Sequence, residues 1–380
     1  MDFALTEQQE MIRRTVRDIA QKVVAPRAAE WDRTGEYPWE VKEVLARQGL
    51  MGLLIPEEYD GAGADLMTVV LVIEELAKVD GSAACIIVGA VDGVFTMLIA
   101  ANEEQKKRYF PHFATGALGG AIAITEPGAG SDVSAMSTRA VRDGDVYRLN
   151  GTKHFITMGG GVCEIFTVFA ITDPTKGAKG ISTFIVEKDY PGFKIGKHED
   201  KMGVRAVPNV EILLEDVPVP AYNLLGKEGD GFKLVMQALD RARPGVAAQS
   251  VGLAQGALDY AIDYAKTRVQ FGHPIGEFQG IQFLLADMAT QVESARYLTY
   301  RAATLIDQGS KEGPKIAAMA KLLASDTAMR VTTDAVQVLG GYGYMKDYPV
   351  ERFMRDAKLM QIFVGTNQIM RMIIGRALLA

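Results

Sequence analysis

Cysteine is close to absent from this chain: Cys85 and Cys163 are the only two in 380 residues, each in apolar surroundings and without a CxxC partner. That count points away from a disulfide framework and a thiolate metal site, and a reducing compartment follows as the simplest setting. Histidine is almost as scarce. The four, His112, His154, His198 and His273, show neither HExxH nor i, i+4 spacing, so no metal is expected. Basic charge is not in surplus either, since 41 Lys and Arg against 47 Asp and Glu leave a net charge of −6. A nucleic-acid surface held by bulk charge is therefore not expected. Long apolar runs are confined to Ala83–Ala101. The amino terminus, MDFALTEQQEMIRRTVRD, is charged throughout without a signal-peptide core, and the carboxy terminus carries no targeting motif, so cytoplasm is the expected location.

What is present is globular: 48% hydrophobic and 23% charged residues, over a length that predicts two or three domains. Residues 1–120 read as helical, with Met11, Val16, Ile19 and Val23, then Val41, Val44 and Leu45, at three- and four-residue spacing. Residues 121–228 change to short β-branched and aromatic runs (Val146–Leu149, Ile165–Ile171, Ile181–Val186, Val210–Leu214) with turns at Asp143-Gly144 and Asn150-Gly151, which predicts a small antiparallel β domain. Residues 229–380 return to the helical period over Phe232–Thr267, Ile281–Gln308, Lys315–Leu339 and Asn367–Ala377, a bundle. The fold class is α+β, and a crevice between the β domain and the helical blocks is where a ligand is expected.

Two segments carry a cofactor signal. Ala123-Ile-Thr-Glu-Pro-Gly-Ala-Gly-Ser-Asp-Val-Ser-Ala135 packs three small residues at the entrance to the β domain, where backbone N–H groups can approach an anion or a planar ring, or form a plain surface turn. Gln337-Val-Leu-Gly-Gly-Tyr-Gly-Tyr-Met-Lys-Asp347, followed by Arg352 and Asp356, brings glycines to a helix end, which a helix C-cap alone would also explain. Together the two resemble the signature patterns of the acyl-CoA dehydrogenase family. The resemblance extends over essentially the whole chain through LTEQQEMIRRTVRD, Ile55-Pro-Glu-Glu-Tyr-Asp-Gly-Ala-Gly63, Asn150-Gly-Thr-Lys153, Lys201-Met-Gly-Val-Arg205 and Arg268-Val-Gln-Phe-Gly272.

The resemblance implies a helical domain, a β-barrel, a second helical domain, FAD in the crevice, a homotetramer and an electron-transfer flavoprotein as electron acceptor. It also implies roles for individual residues. Ile122 to Ser131, with Ala123 and Thr125, would line the flavin, Ser131 also touching the CoA ester. Phe155, Ile156 and Thr157 would flank the isoalloxazine. Arg268 would meet the pyrophosphate, for which a planar bidentate guanidinium is suited, and Gln270 and Phe271 would also contact the cofactor. Gln279, the Gln337, Gly340 and Gly341 turn of a neighbouring subunit, and Thr366 to Gln368 would complete the FAD contacts, and Asp240 to Arg243 would meet CoA.

The base is missing. The family's glutamate usually precedes the Gly-Thr of the carboxy-terminal motif, which here reads Gln361-Ile-Phe-Val-Gly-Thr-Asn-Gln368, so Val364 stands in its place and the alternative position is Ala242. The resemblance also implies that the backbone N–H of the residue before Gly365 polarises the thioester carbonyl, and Val364 can still give that N–H. A replacement carboxylate is sought in Ala83–Ala101, nineteen residues with one charge, Asp92. That length could span a membrane, but the charge, two glycines and polar flanks favour a buried core helix. A lone buried aspartate is costly unless paired, and desolvation raises its pKa toward that of an effective base. Gly89 and Gly93 are expected to open space beside it, and Thr96, four residues on, to donate a hydrogen bond.

A base beside the distal acyl chain would remove a γ-proton, acidic only when a C=C conjugates it to the carbonyl. A substrate whose α-carbon is already sp² has no α-hydrogen and leaves a glutamate at 364 idle. Cyclohex-1-ene-1-carboxyl-CoA satisfies both conditions: Asp92 takes the C3 proton, hydride leaves C6, and the 1,4-elimination yields a cyclic conjugated diene. The pattern is similar to the cyclohex-1-ene-1-carboxyl-CoA dehydrogenase branch of the family. Two alternatives stay open: conventional α,β-dehydrogenation of a short, branched or alicyclic saturated acyl-CoA, and a non-catalytic flavoprotein that binds CoA esters.

Overall fold

The computed structural model describes residues 4–380. Thr6 opens α1 (Glu7–Ile19) in a capping box with Gln9, and Glu7 and Glu10 sit in the first turn, where the helix dipole favours them. α2 (Ala28–Thr34) and α3 (Trp39–Arg47) follow, then α4 (Leu66–Ala77), capped by Asp65. Asp80 caps α5 (Gly81–Ala100), its carboxylate accepting from the Ala83 N–H at 2.8 Å. By length and a mean hydropathy of 2.2, α5 could cross a membrane, yet 67% of that stretch is buried inside the fold, as in a core helix. Extended Ala101 ends it, and Asn102 at once caps α6 (Glu103–Ala114).

The chain then forms a sheet from β1 (Gly120–Ala123), β2 (Arg139–Asp143), β3 (Val146–Thr157), β4 (Ile165–Ile171), β5 (Ile181–Glu187), β6 (Phe193–His198), β7 (Asn209–Pro220) and β8 (Leu224–Leu225). The strand order is β6-β7-β3-β2-β4-β5-β8, with β1 off this path against β4. The expected closed barrel is not formed: β6 bonds only β7, β8 only β5, and no ladder joins these edges among the described residues. Nor is the sheet wholly antiparallel, because β1 and β2 run parallel to β4. Asp143-Gly144 does turn the β2–β3 hairpin, with Gly144 at φ 60°. Asn150-Gly151 does not turn. It sits inside β3 at a register shift against β7, where a Cβ on Gly151 would fall 2.4 Å from Thr138 Oγ1.

A single 37-residue helix, α7 (Gly231–Thr267), leaves the sheet and lies flush on α4, since a Cβ at Gly252 would meet the Glu74 carbonyl at 2.4 Å and one at Gly256 the Lys78 carbonyl at 2.0 Å. A small hairpin, β9 (Val269–Gln270) and β10 (His273–Pro274), leads into α8 (Gln279–Asp307) and α9 (Gly313–Leu339). α10 (Val350–Met360), a helix not expected from the periodicity, and α11 (Asn367–Leu379) end the chain. One continuous apolar core runs from Val16 and Trp31 through Phe184 and Val186 to Val331 and Met360.

Candidate active site

β1 delivers the small-residue loop. Glu126 folds back on it, accepting from the backbone N–H of Ser137 at 2.6 Å and of Thr138 at 3.0 Å. Lys153 on β3, fully buried, closes the loop's base by donating to Glu126 at 2.8 Å and to the Ile124 carbonyl at 3.0 Å. Burial alone would raise the Glu126 pKa, but the Lys153 charge and four hydrogen bonds hold it at about 2. Above this base Gly128 and Gly130 have open space where a Cβ would stand, and Ser131 is exposed.

The His154 N–H donates to the Thr125 carbonyl at 2.8 Å, so the loop and the end of β3 lie side by side. Phe155 has φ 58°, stacks on the His154 ring at 4.1 Å and leaves 59% of its surface exposed, an aromatic plane held open by its neighbours. Asn209 pins this end by donating to the Phe155 carbonyl and to Thr157 Oγ1. Ala123 and Ile156, both read as cofactor-lining, are buried in the core; only their main chain is available there.

Val364 follows α10 in a turn with φ 53°, and Gly365 has φ 94°. Among the described residues the Val364 N–H has no acceptor, and its side chain is half-buried. Thr366 caps α11, accepting from the Ile369 N–H at 3.3 Å. Gln368 is exposed one turn on.

Asp92 stands on α5 as a half-buried carboxylate with no hydrogen bond or ion pair among the described residues. Burial pushes its pKa up to about 8, and nothing offsets that. Two expectations about its neighbours fail. Thr96 Oγ1 is buried without a partner among the described residues and does not bond Asp92, because i, i+4 spacing brings backbones near without fixing the rotamer. The glycines are not free space: a Cβ at Gly89 would lie 2.8 Å from Met158 Cε, and one at Gly93 2.5 Å from the Gly120 carbonyl carbon. They press α5 onto the start of β1 and onto Met158, the residue after Thr157. Asp92 is thereby one turn from the strand end that carries Phe155 and Thr157.

A second hollow, of about 510 Å³, is lined by Arg268, Gln270, Gly340, Gly341 and Tyr342 among others. Among the described residues no carboxylate lies within ion-pair distance of the Arg268 guanidinium, which is 5.1 Å from the centre of the Tyr342 ring. Gly340 caps α9 at φ 60°, with nothing within 4 Å of a Cβ there. Gln279, at the start of α8, and Gln337, one turn before Gly340, are exposed, and Phe271 is 93% exposed.

Family models match in chain order: acyl-CoA dehydrogenase N-terminal domain over residues 6–117, middle domain over 121–217 and C-terminal domain over 229–379. The chain belongs to the acyl-CoA dehydrogenase family. It is 51% identical to a cyclohex-1-ene-1-carbonyl-CoA dehydrogenase of Syntrophus aciditrophicus, covering 99% of this chain and 91% of that one. A protein of the same name from Geobacter metallireducens is 50% identical, with 99% of each covered. The solved butyryl-CoA dehydrogenase of Megasphaera elsdenii superposes with a TM-score of 0.97 at 45% identity over the whole of both chains.

Like its family, this acyl-CoA dehydrogenase is an FAD-dependent oxidoreductase of CH–CH groups. Its residues fit the cofactor. The open Phe155 plane and the unhindered loop at Gly128 and Gly130 suit a flat ring, while the unpaired Arg268 beside bare Gly340 and Gly341 suits a pyrophosphate. The residues read as meeting CoA are less open: Arg243 is 3% exposed and paired with Asp240, and its Nε is buried without a partner among the described residues. Sequence reasoning missed three residues that organise the site. Glu126 and Lys153 lay inside quoted motifs without a role, and Lys321 was not noticed at all; its signal was a lysine set among Ala317, Ala318, Ala320 and Ala324.

Proposed function

We propose that this acyl-CoA dehydrogenase acts on cyclohex-1-ene-1-carboxyl-CoA, converting it by 1,4-elimination to a cyclic conjugated dienoyl-CoA. One observation carries the reading: the position of the usual base holds Val364, while Asp92, on the helix beside the Phe155–Thr157 strand end, is a carboxylate without a partner among the described residues. Asp92 takes a proton from ring C3. The electron pair moves toward the thioester, the double bond shifts from C1–C2 to C2–C3, and a new one forms between C1 and C6. FAD, when bound, supplies the acceptor for the hydride that leaves C6. The Val364 N–H, which has no acceptor among the described residues, holds the thioester oxygen as negative charge gathers there. A pKa near 8 makes Asp92 a stronger base than an ordinary carboxylate.

Support also comes from the two cyclohex-1-ene-1-carbonyl-CoA dehydrogenases at 50–51% identity. Likeness to the butyryl-CoA dehydrogenase favours the second reading, α,β-oxidation of a saturated ester, for which Val364 offers no base. The proposal includes a cytoplasmic homotetramer passing electrons to an electron-transfer flavoprotein, as the family resemblance implies. Cyclohex-1-ene-1-carboxyl-CoA and butyryl-CoA, added anaerobically to the yellow protein, separate the cases. Bleaching by the cyclic ester alone, with a conjugated diene as product, is expected. Equal reaction with butyryl-CoA overturns the substrate assignment, and silence with both favours the non-catalytic alternative.

A further inference from the structure

Val364 and Gly365 take left-handed φ values in succession, 53° and 94°. Glycine adopts that conformation freely, whereas a β-branched residue is strained there and keeps it only when its surroundings insist. The restraint comes from behind the turn. Lys321, in the middle of α9 and fully buried, donates from Nζ to the Gly365 carbonyl at 2.8 Å and to Asn367 Oδ1 at 2.9 Å. Asn367 completes the clamp: its backbone N–H donates to the Gln361 carbonyl at 3.0 Å and its Nδ2 to Asp326 Oδ1 at 2.7 Å. No carboxylate lies within ion-pair distance of the Lys321 ammonium among the described residues. Burial, with the Arg243 charge, lowers the Lys321 pKa to about 7, and a long polar side chain buried among neutral acceptors is an expensive way to fill space on a helix that carries Ala317, Ala318, Ala320 and Ala324.

We infer that Lys321 is a positioning residue for the reaction: by anchoring the Gly365 carbonyl it keeps Val364 in its left-handed conformation and the free Val364 N–H directed at the thioester oxygen. This rests on the role given to that N–H above, though not on which acyl group is oxidised. The strain and the anchor are two halves of one device. Removing the anchor lets the valine relax and turns its N–H away, while a residue without strain at 364 has less need of the anchor.

The test uses holoenzymes carrying Lys321→Met, Val364→Gly and both. Cyclohex-1-ene-1-carboxyl-CoA and butyryl-CoA, each ¹³C-labelled at the carbonyl, are followed for turnover and for the carbonyl stretch of the bound ester. Lys321→Met is expected to lower kcat on the order of 10- to 100-fold for whichever ester reacts, with KM little changed, since small misplacements of a reacting group cost that much. The bound carbonyl stretch should move toward its free value. In the Val364→Gly background the same substitution should cost only about threefold, because glycine visits positive φ about as readily as negative φ. Both esters present the same carbonyl, so an error in the acyl group shows in Asp92→Asn and substrate choice, not in this coupling; if neither ester turns over, the stretch decides alone. An unchanged stretch in Lys321→Met, or equal losses in both backgrounds, makes Lys321 a purely structural residue and overturns the inference.

Discussion

The Lys153 ammonium lies 2.8 Å from the Glu126 carboxylate, and neither side chain reaches solvent. Breaking such a pair from one side leaves an uncompensated buried charge, at about 3–5 kcal/mol. Lys153→Met should therefore lower the melting temperature and, because Glu126 shapes the loop over which the flavin is expected, reduce flavin content read from the visible absorbance. Glu126 sits at about 2 against an ordinary 4.5, so its contribution to stability is complete above pH 4.5 and is lost as the pH falls toward 2. A variant that melts normally and holds its flavin would remove the pair from the cofactor site.

Asp92→Asn should separate chemistry from stability. Loss of a general base lowers turnover on the order of 10²–10⁴-fold. The folded protein binds the Asp92 proton more tightly than the unfolded chain, about 8 against 3.8, so stability present below pH 3.8 drains away as the pH rises through 8. Asparagine abolishes that drain. The variant should melt at the same temperature as the parent near pH 4 and at a higher one at pH 8, and coincident melting at both would show the carboxylate to be ordinary.

Rate against pH follows from the same group. With Asp92 as base, kcat/KM of the free enzyme should climb about tenfold per pH unit below the pKa near 8 and level above it. A plateau reached already at pH 5 to 6 would assign proton removal to an unperturbed carboxylate.

Arg268 lines the 510 Å³ hollow with its guanidinium unpaired among the described residues. Lysine keeps the charge and loses the two-pronged geometry, so Arg268→Lys should weaken FAD on the order of 10- to 100-fold, as expected for a charged hydrogen bond worth about 1.5–3 kcal/mol. Dilution of the holoenzyme with FAD fluorescence as readout measures it. Unchanged retention would take the pyrophosphate elsewhere.

Gly93→Ala tests how α5 is seated. An added Cβ would lie 2.5 Å from the Gly120 main chain, which cannot yield as a side-chain tip can. Overpacking of this kind costs about 1–3 kcal/mol, and lifting α5 should also displace the neighbouring Asp92 and depress kcat. An alanine tolerated on both counts would mean that the helix does not bear on β1.

Much of this was legible in the chain because period and punctuation agree: α7 ends at extended Arg268, α8 just before Gly309 and α9 at Gly340, close to where the apolar spacing stops. α10 was hidden by its charges, since Arg352 and Asp356 are buried there and erase the apolar face that marks a helix. Whether the sheet closes is decided by pairing between its edges, β6 and β8, and no local pattern records that. Asp92 stood out because a single charge in nineteen residues is anomalous wherever it lies. Nothing local marks Lys153 or Lys321 as buried, for burial of a long polar side chain depends on acceptors brought from distant segments.

The seating of α7 on α4 gives the chain a divided inheritance. Gly252 and Gly256 let main chain touch main chain between the first and last helical blocks, so each block's exposed groove is shaped to the other's backbone and not to water. Severed in the segment before Gly231, the molecule would yield fragments that behave as a complementation pair, reassembling across that ridge, and would lack the autonomy of beads on a tether. Heat should accordingly find one cooperative object where the chain order suggests three.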